Sequence, residues 1–339
     1  LEQCGGPRSP VGLTPMSQLR LNPLTGRWVA VAADRAARPS DLVSRIEPTV
    51  ADANQPCPFC PGNEEATRPA LETYGRGGEW VVRVVPNRYP AFEGEEPLHV
   101  HNLGPVYTQA AGSGIHEVLV FTPKHNDSWA DLDDKQVAVT MAAIRDRMED
   151  HSRRPAIRYT QAIVNHGHDA GASLEHPHGQ LLGIPFVPGE IAEEEAGFRR
   201  FGGPCVLCTT IEAELDANHR VVYQDDRVVV LCPYWAGSPY EMLVIPTDHQ
   251  THIRSAQPRD VTAVGKAMRT ALVRLRACVG PASYNLVIHT APHRSDGPFH
   301  WHVHVWPRVT SHAGFEQGTG VLINILAPEL ATRHLTVVA

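Results

Sequence analysis

Six short runs rich in valine, isoleucine and leucine, each bounded by polar or turn-forming residues, punctuate the chain at 79–85 (EWVVRVV), 116–122 (HEVLVFT), 160–165 (TQAIVN), 227–232 (RVVVLC), 240–246 (YEMLVIP) and 284–289 (YNLVIH). Their length and β-branched content predict strands. Two other stretches repeat apolar residues at helical spacing. Val137, Met141, Ile144 and Met148 mark one, and Val261, Val264, Met268, Leu272 and Leu275 mark the other. Both stripes predict amphipathic helices packed on a core. The elements fall into two sets of three strands, with the helix between the second and third strand of each set. This pattern predicts an α+β fold built from two similar halves, residues 18–195 and 196–339. The charged segment 190–203 (EIAEEEAGFRRFGG) reads as the connector where they meet.

The 339 residues suffice for two domains or one large one. A hydrophobic content of 42% and a charged content of 20% are ordinary for a globular protein. Net charge is −7 and no run of Lys or Arg stands out, which argues against nucleic acid or an anionic membrane as the main partner. No apolar stretch reaches the roughly 20 residues needed to span a bilayer. Residues 1–17 lack the pattern of a secretion signal and read as a disordered extension or expression remnant, with Met16 a natural start. The expected location is cytoplasmic.

Cysteine and histidine change the picture. Four of the seven cysteines form two C-x-x-C pairs, Cys57 with Cys60 and Cys205 with Cys208, and the 19 histidines outnumber Phe and Tyr together. Downstream of each pair the same spacing recurs. His125 to His176 and His249 to His300 both span 51 positions, and each strand ending near the first histidine of a pair opens with a glutamate, Glu117 or Glu241. Asn165 and His289 each lie 11 positions before the H-x-H of their half. Such a register indicates an internal duplication. Two thiolates and two imidazoles suit a tetrahedral zinc with no open position, so the sequence predicts two structural sites. Cys57, Cys60, His125 and His176 would form one, and Cys205, Cys208, His249 and His300 the other. Buried thiols with unrelated surface histidines are the competing account, which two equally spaced sets disfavour.

In EHPHGQ (175–180), His178 and Gln180 lie two and four positions beyond His176. If His176 faces a metal, the period of a strand puts all three on one face. A metal-free, neutral imidazole at His178 is then a candidate nucleophile. Gly179 would let a phosphate approach. Gln180 can donate to a phosphoryl oxygen yet cannot transfer a proton, which favours passing the group to an acceptor rather than to water.

The H-P-H-G-Q motif, the upstream C-x-x-C and the two-half organisation resemble the galactose-1-phosphate uridylyltransferase family of the histidine-triad superfamily. Residues 21–39 (LNPLTGRWVAVAADRAARP) are similar to that family's N-terminal segment. The resemblance implies two histidine-triad-like halves sharing one continuous, mostly antiparallel sheet flanked by helices, and a homodimer. It also implies a ping-pong transfer of a nucleotidyl group through His178, from a nucleotide sugar to a hexose 1-phosphate. By the same resemblance Gln180 and Ser173 contact the transferred phosphate, Asn165 holds the loop and phosphates, Arg35 and Arg38 contact phosphate, and Asn87 contacts the nucleotide.

The chain departs from the family pattern in three places. Leu174 and Glu175 stand where another histidine and proline precede His176. The family's second metal site uses a glutamate and three histidines, matched here by Glu194, His289, His302 and His304. The Cys205 set alone repeats the first half and is the preferred second zinc site. The segment 314–324 (GFEQGTGVLIN), which includes Gln317 as a substrate-binding candidate, resembles the ADP-glucose phosphorylase branch. Three readings follow: transfer of UMP from UDP-glucose to galactose 1-phosphate; phosphorolysis of ADP-glucose or a dinucleoside polyphosphate; and a non-catalytic, zinc-stapled nucleotide-binding module. His302 reads as a vestige of the duplicated ancestor, or else as a second nucleotide site.

Overall fold

The computed structural model describes residues 17–32 and 56–337, so Arg35, Arg38 and nearly all of the expected N-terminal extension lie outside the described residues. In chain order the strands are β1 (Gln18–Leu21), β2 (Trp28–Val31), β3 (Glu72–Arg76), β4 (Glu79–Pro86), β5 (His101–Asn102), β6 (Thr108–Gln109), β7 (Ile115–Val120), β8 (Tyr159–His166), β9 (His178–Ile184), β10 (Val221–Gln224), β11 (Val228–Leu231), β12 (Met242–Pro246), β13 (Tyr284–His289), β14 (His302–Pro307) and β15 (Leu322–Asn324). The α-helices are α1 (Asp134–Ser152), α2 (Gly189–Arg200), α3 (Val206–Ala217), α4 (Pro258–Val279), α5 (Gly314–Thr319) and α6 (Pro328–Val337).

Ten strands form one antiparallel sheet in the order β10-β11-β12-β14-β13-β8-β9-β7-β4-β3. The β8–β13 pair, with Asn165 opposite Asn285 and Ile163 opposite Val287, fuses the two halves. The expected α+β fold with a continuous sheet is the fold observed. Helices α1 and α4 cover one face. Their apolar stripes (Val137, Met141 and Met148; Val264, Met268 and Leu272) share a core with Leu119, Phe121, Leu181, Leu286 and Val303. The two helices approach closely at Gly265, where a Cβ would lie 2.5 Å from Met141. The opposite face carries α2 and α3 in the second half, with Ile191, Phe198, Leu207 and Phe299 packed on Leu243 and Ile245. His178, His289, His302 and His304 lie on this second face.

Four features differ from the sequence reading. The connector 190–203 is largely helical as α2, because Ile191, Glu194, Gly197 and Phe198 recur on one buried face while its other charges point outward. The strand expected at 240–246 starts two residues late, after Tyr240, whose φ of 59° lies in the left-handed region. The two matched glutamates face opposite ways. Buried Glu117 pairs with Arg147 and His151 of α1, whereas Glu241 accepts from the Gly237 and Ser238 N–H groups at 2.8 and 3.2 Å. Leu119 and Leu243, equally matched by the repeat, also sit in different cores. A slip of one residue turns every side chain of a strand over. Residues 18–31, expected within the half 18–195, join the second: β2 pairs in parallel with β15, and Arg20 bonds Glu329 of α6 at 3.0 Å.

Candidate active site and metal clusters

His178 opens β9, flanked by Val120 of β7 on one side. The β8 register, with Val164 opposite Gly179, sets Asn165 across from it on the other. Only 7% of His178 is exposed. Its Nδ1 lies 2.8 Å from the His176 carbonyl. A carbonyl only accepts, so Nδ1 carries the proton and donates, which leaves the lone pair on Nε2. Burial lowers the pKa of His178, with the His176 carbonyl acting in the opposite sense. The ring is therefore neutral at pH 7 and presents a nucleophilic nitrogen. Phe59, beside the first cysteine pair, forms a wall with its ring centroid 5.3 Å from that of His178.

His178 and Gln180 share a face, as expected, while His176 precedes the strand. Gln180 is oriented by a residue that the sequence reading missed. The Ala91 N–H donates to His116 Nδ1 at 3.0 Å, so the proton of this ring sits on Nε2, which donates to Gln180 Oε1 at 2.7 Å. The Gln180 NH2 is thereby left as a donor on the His178 face. His116 could have been found from its place in β7, in phase with Val118 and Val120 of the same face. Asn87 packs against the same imidazole, Nδ2 3.1 Å from Nε2, and its Oδ1 accepts from the Tyr89 N–H. Ser173 is exposed in the loop before His176. Gln317 is exposed on α5, where its side chain donates to the His312 carbonyl at 3.3 Å. The expectation for Gly179 needs correction. A Cβ there would lie 2.8 Å from the Ile163 carbonyl oxygen and 2.9 Å from Phe121, on the core side. Glycine is needed to pack the helix-covered face, not to admit phosphate.

Cys57, Cys60, His125 and His176 converge, and so do Cys205, Cys208, His249 and His300. Within each set the candidate donor atoms lie within 4.8 Å of one another. Cys60 Sγ is 3.3 Å from His125 Nδ1 and 3.6 Å from His176 Nδ1. Cys208 Sγ is 3.5 Å from both His249 Nδ1 and His300 Nδ1. Tetrahedral zinc, with Zn–S of about 2.3 Å and Zn–N of about 2.0–2.1 Å, requires S···N edges of about 3.6 Å. The fit is close. His176 Nε2 donates to the Thr122 carbonyl at 2.7 Å and His300 Nε2 to the Pro246 carbonyl at 3.0 Å, which turns each Nδ1 toward its cluster. Burial, then the neighbouring sulfur, pushes the Cys60 thiol up to about 11 and the Cys208 thiol up to about 12. A bound cation reverses that penalty by stabilising thiolate.

Glu194, His289, His302 and His304 form a third, fully buried cluster, separate from the second. The two sets weighed as alternatives for one site are both assembled. Glu194 lies 2.9 Å from His289, 3.7 Å from His302 and 3.6 Å from His304. His302 Nδ1 donates to the His300 carbonyl at 2.8 Å, leaving its Nε2 lone pair 3.1 Å from His304 Nε2. Desolvation alone would raise the Glu194 pKa, but the imidazoles, His289 foremost, hold it well below the ordinary carboxylate value. Glu194 Oε2 and His304 Nδ1 have no hydrogen-bond partner. One carboxylate and three imidazoles suit a divalent transition metal. His302 repeats the local geometry of His178, yet its Nε2 is turned into this closed cluster.

A neutral, oriented imidazole beside the aimed Gln180 amide, on a sheet with two cysteine–histidine clusters, fits a nucleotidyltransferase. A family model described as the galactose-1-phosphate uridyl transferase N-terminal domain matches residues 13–188, and a domain of unknown function matches residues 127–338. The chain is 30% identical to an ADP-glucose phosphorylase of Arabidopsis thaliana, over 92% of this chain and 90% of that one. It is 28% identical to a galactose-1-phosphate uridylyltransferase of Thermotoga maritima, over 94% and 98% of the two chains. The crystal structure of an Arabidopsis thaliana ADP-glucose phosphorylase with bound ADP-glucose superposes with a TM-score of 0.81 at 27% identity, covering 95% of this chain and 98% of that one. The chain belongs to the galactose-1-phosphate uridylyltransferase family.

Proposed function

We propose that this protein transfers UMP from UDP-glucose to galactose 1-phosphate through a nucleotidyl-His178 intermediate. It is a nucleotidyltransferase, as its uridylyltransferase relatives are named across several species. The observation that supports the reading is the 2.8 Å contact from His178 Nδ1 to the His176 carbonyl, which leaves the Nε2 lone pair available for attack. In the first step Nε2 attacks the α-phosphorus. The bond to the bridging oxygen breaks, and hexose 1-phosphate leaves with the electron pair. The His176 carbonyl stabilises the cationic ring that results, and the Gln180 NH2 donates to a phosphoryl oxygen as charge shifts onto it. In the second step a phosphate oxygen of the acceptor attacks the same phosphorus, and the lone pair returns to Nε2. Neither step needs proton transfer, which agrees with an amide at position 180.

The two cysteine-containing clusters would hold structural zinc, and the Glu194 cluster a further divalent metal. Each would contribute folding free energy by cross-linking distant segments. Asn87, Asn165, Ser173, Arg35 and Arg38 would contact the nucleotide and its phosphates. Gln317 would contact sugar across a homodimer interface, and the protein would act in the cytoplasm. No helix among the described residues is long and apolar enough to cross a membrane.

A second reading, phosphorolysis of ADP-glucose, is favoured by the likeness to ADP-glucose phosphorylase in sequence and structure. The chemistry at His178 is the same and only the base and acceptor differ. Parallel incubations separate them. UDP-glucose with galactose 1-phosphate should yield UDP-galactose and glucose 1-phosphate; turnover only of ADP-glucose with inorganic phosphate would replace the first reading by the second.

A further inference from the structure

The second half of the chain reaches the His178 site through one buried amide. Asn285 of β13 is 6% exposed and lies directly opposite Asn165 of β8. Arg308 Nε donates to Asn285 Oδ1 at 2.6 Å. Asn285 Nδ2 donates to the Ala170 carbonyl at 2.9 Å and to Asn165 Oδ1 at 2.8 Å. The direction of this chain is unambiguous. A guanidinium only donates and a carbonyl only accepts, so Asn285 is fixed at both ends, and it can meet Asn165 only with its NH2. Asn165 must then turn its oxygen toward Asn285 and its own NH2 away. Opposed residues of an antiparallel pair share a face, so that free NH2 lies on the face of His178. The same stretch of β13 also braces the turn that leads to His176: Tyr284 stacks on His166 at 4.7 Å, and Ser283 packs against Gly167.

We propose that Asn285 and Arg308 are positioning residues for the first-half site, fixing Asn165 as a hydrogen-bond donor toward the phosphates of a nucleotide sugar. The inference rests on the proposed function for the identity of that ligand. Together with His116 acting on Gln180, it means that both amides flanking His178 show donors, not acceptors, to an anion. The duplication acquires a purpose here, since the half without the nucleophile sets the polarity of the half that has it.

The test measures binding without turnover, in a His178→Ala background, by calorimetry with UDP-glucose and with ADP-glucose. Asn285→Asp accepts from Arg308 but cannot donate to Asn165, whose amide then rotates to donate to the new carboxylate. Asn165→Ala brings no donor to the site and adds no charge, while Asn285 stays held by Arg308 and the Ala170 carbonyl. Each substitution should weaken binding about tenfold, the worth of one hydrogen bond to a charged group, and the double variant should be no weaker than either single one. A loss of packing alone would lower the active fraction, not the affinity. Unchanged affinity in Asn285→Asp, or losses that multiply in the double variant, would overturn the inference while leaving the proposed function standing. A parent protein that binds neither nucleotide sugar would overturn both.

Discussion

At single residues the site depends on small groups in fixed orientations. Gly179 separates His178 from Gln180, and its missing side chain accommodates Phe121 and the Ile163 carbonyl. Gly179→Ala should therefore cost about 1–3 kcal/mol through overpacking, seen as a lower Tm; an unchanged Tm would contradict that packing role. Glu241 makes a prediction about pH. Burial pushes its carboxyl up to about 7 from an ordinary 4.5, against the backbone donors that favour the ionised form. Between those values the folded chain holds a proton that the unfolded chain has released, so this group's contribution to stability falls as pH rises from about 5 to 7. Glu241→Gln should thus gain on the parent by up to about 3 kcal/mol across that window. Urea denaturation at a series of pH values measures it, and parallel curves for the two proteins would refute the assignment. Residue-level chemistry was partly readable beforehand. His178 and Gln180 stood out by motif and Glu194 by the family resemblance, but the apolar periodicity does not separate Glu194 from Glu193 and Glu195, of which it alone is buried.

At the level of elements, each cysteine-containing cluster joins segments far apart in the chain: a cysteine pair, the loop after a strand, and the entry to the strand paired with it. The equal 51-residue spacing made the two cysteine-containing sets legible, because ligand geometry tolerates no drift along the chain. The same repeat misled at Glu117 and Glu241, where β12 has slipped by one residue relative to its counterpart. Helix α2 was hidden by its charge, since a helix that buries only four residues on one face shows little apolar periodicity. The clusters make separable predictions. Elemental analysis should find about two zinc ions per chain. Cys57→Ser should remove one, Cys208→Ser the other, and Glu194→Ala neither, while Cys57→Ser also lowers Tm. Zinc-free protein of full stability would contradict the structural role.

In the molecule as a whole, the β8–β13 seam makes two half-sheets into one, with the α1–α4 core continuous across it. Six of the ten strands and both main helices of this body were evident from apolar runs, because burial leaves a strong signal. The return of β1 and β2 to the second half was not, since a three-stranded sheet closed by β15 depends on partners about 300 positions apart. This architecture explains how a nucleophile on one half can be tuned by residues on the other. The most direct test of the whole account is the intact mass of the protein after incubation with UDP-glucose alone. One uridylyl group should be added per chain, mapped to the peptide containing His178, with stoichiometric release of glucose 1-phosphate, and His178→Ala should acquire none. Turnover that persists in His178→Ala, or a uridylyl group found on another residue, would contradict it.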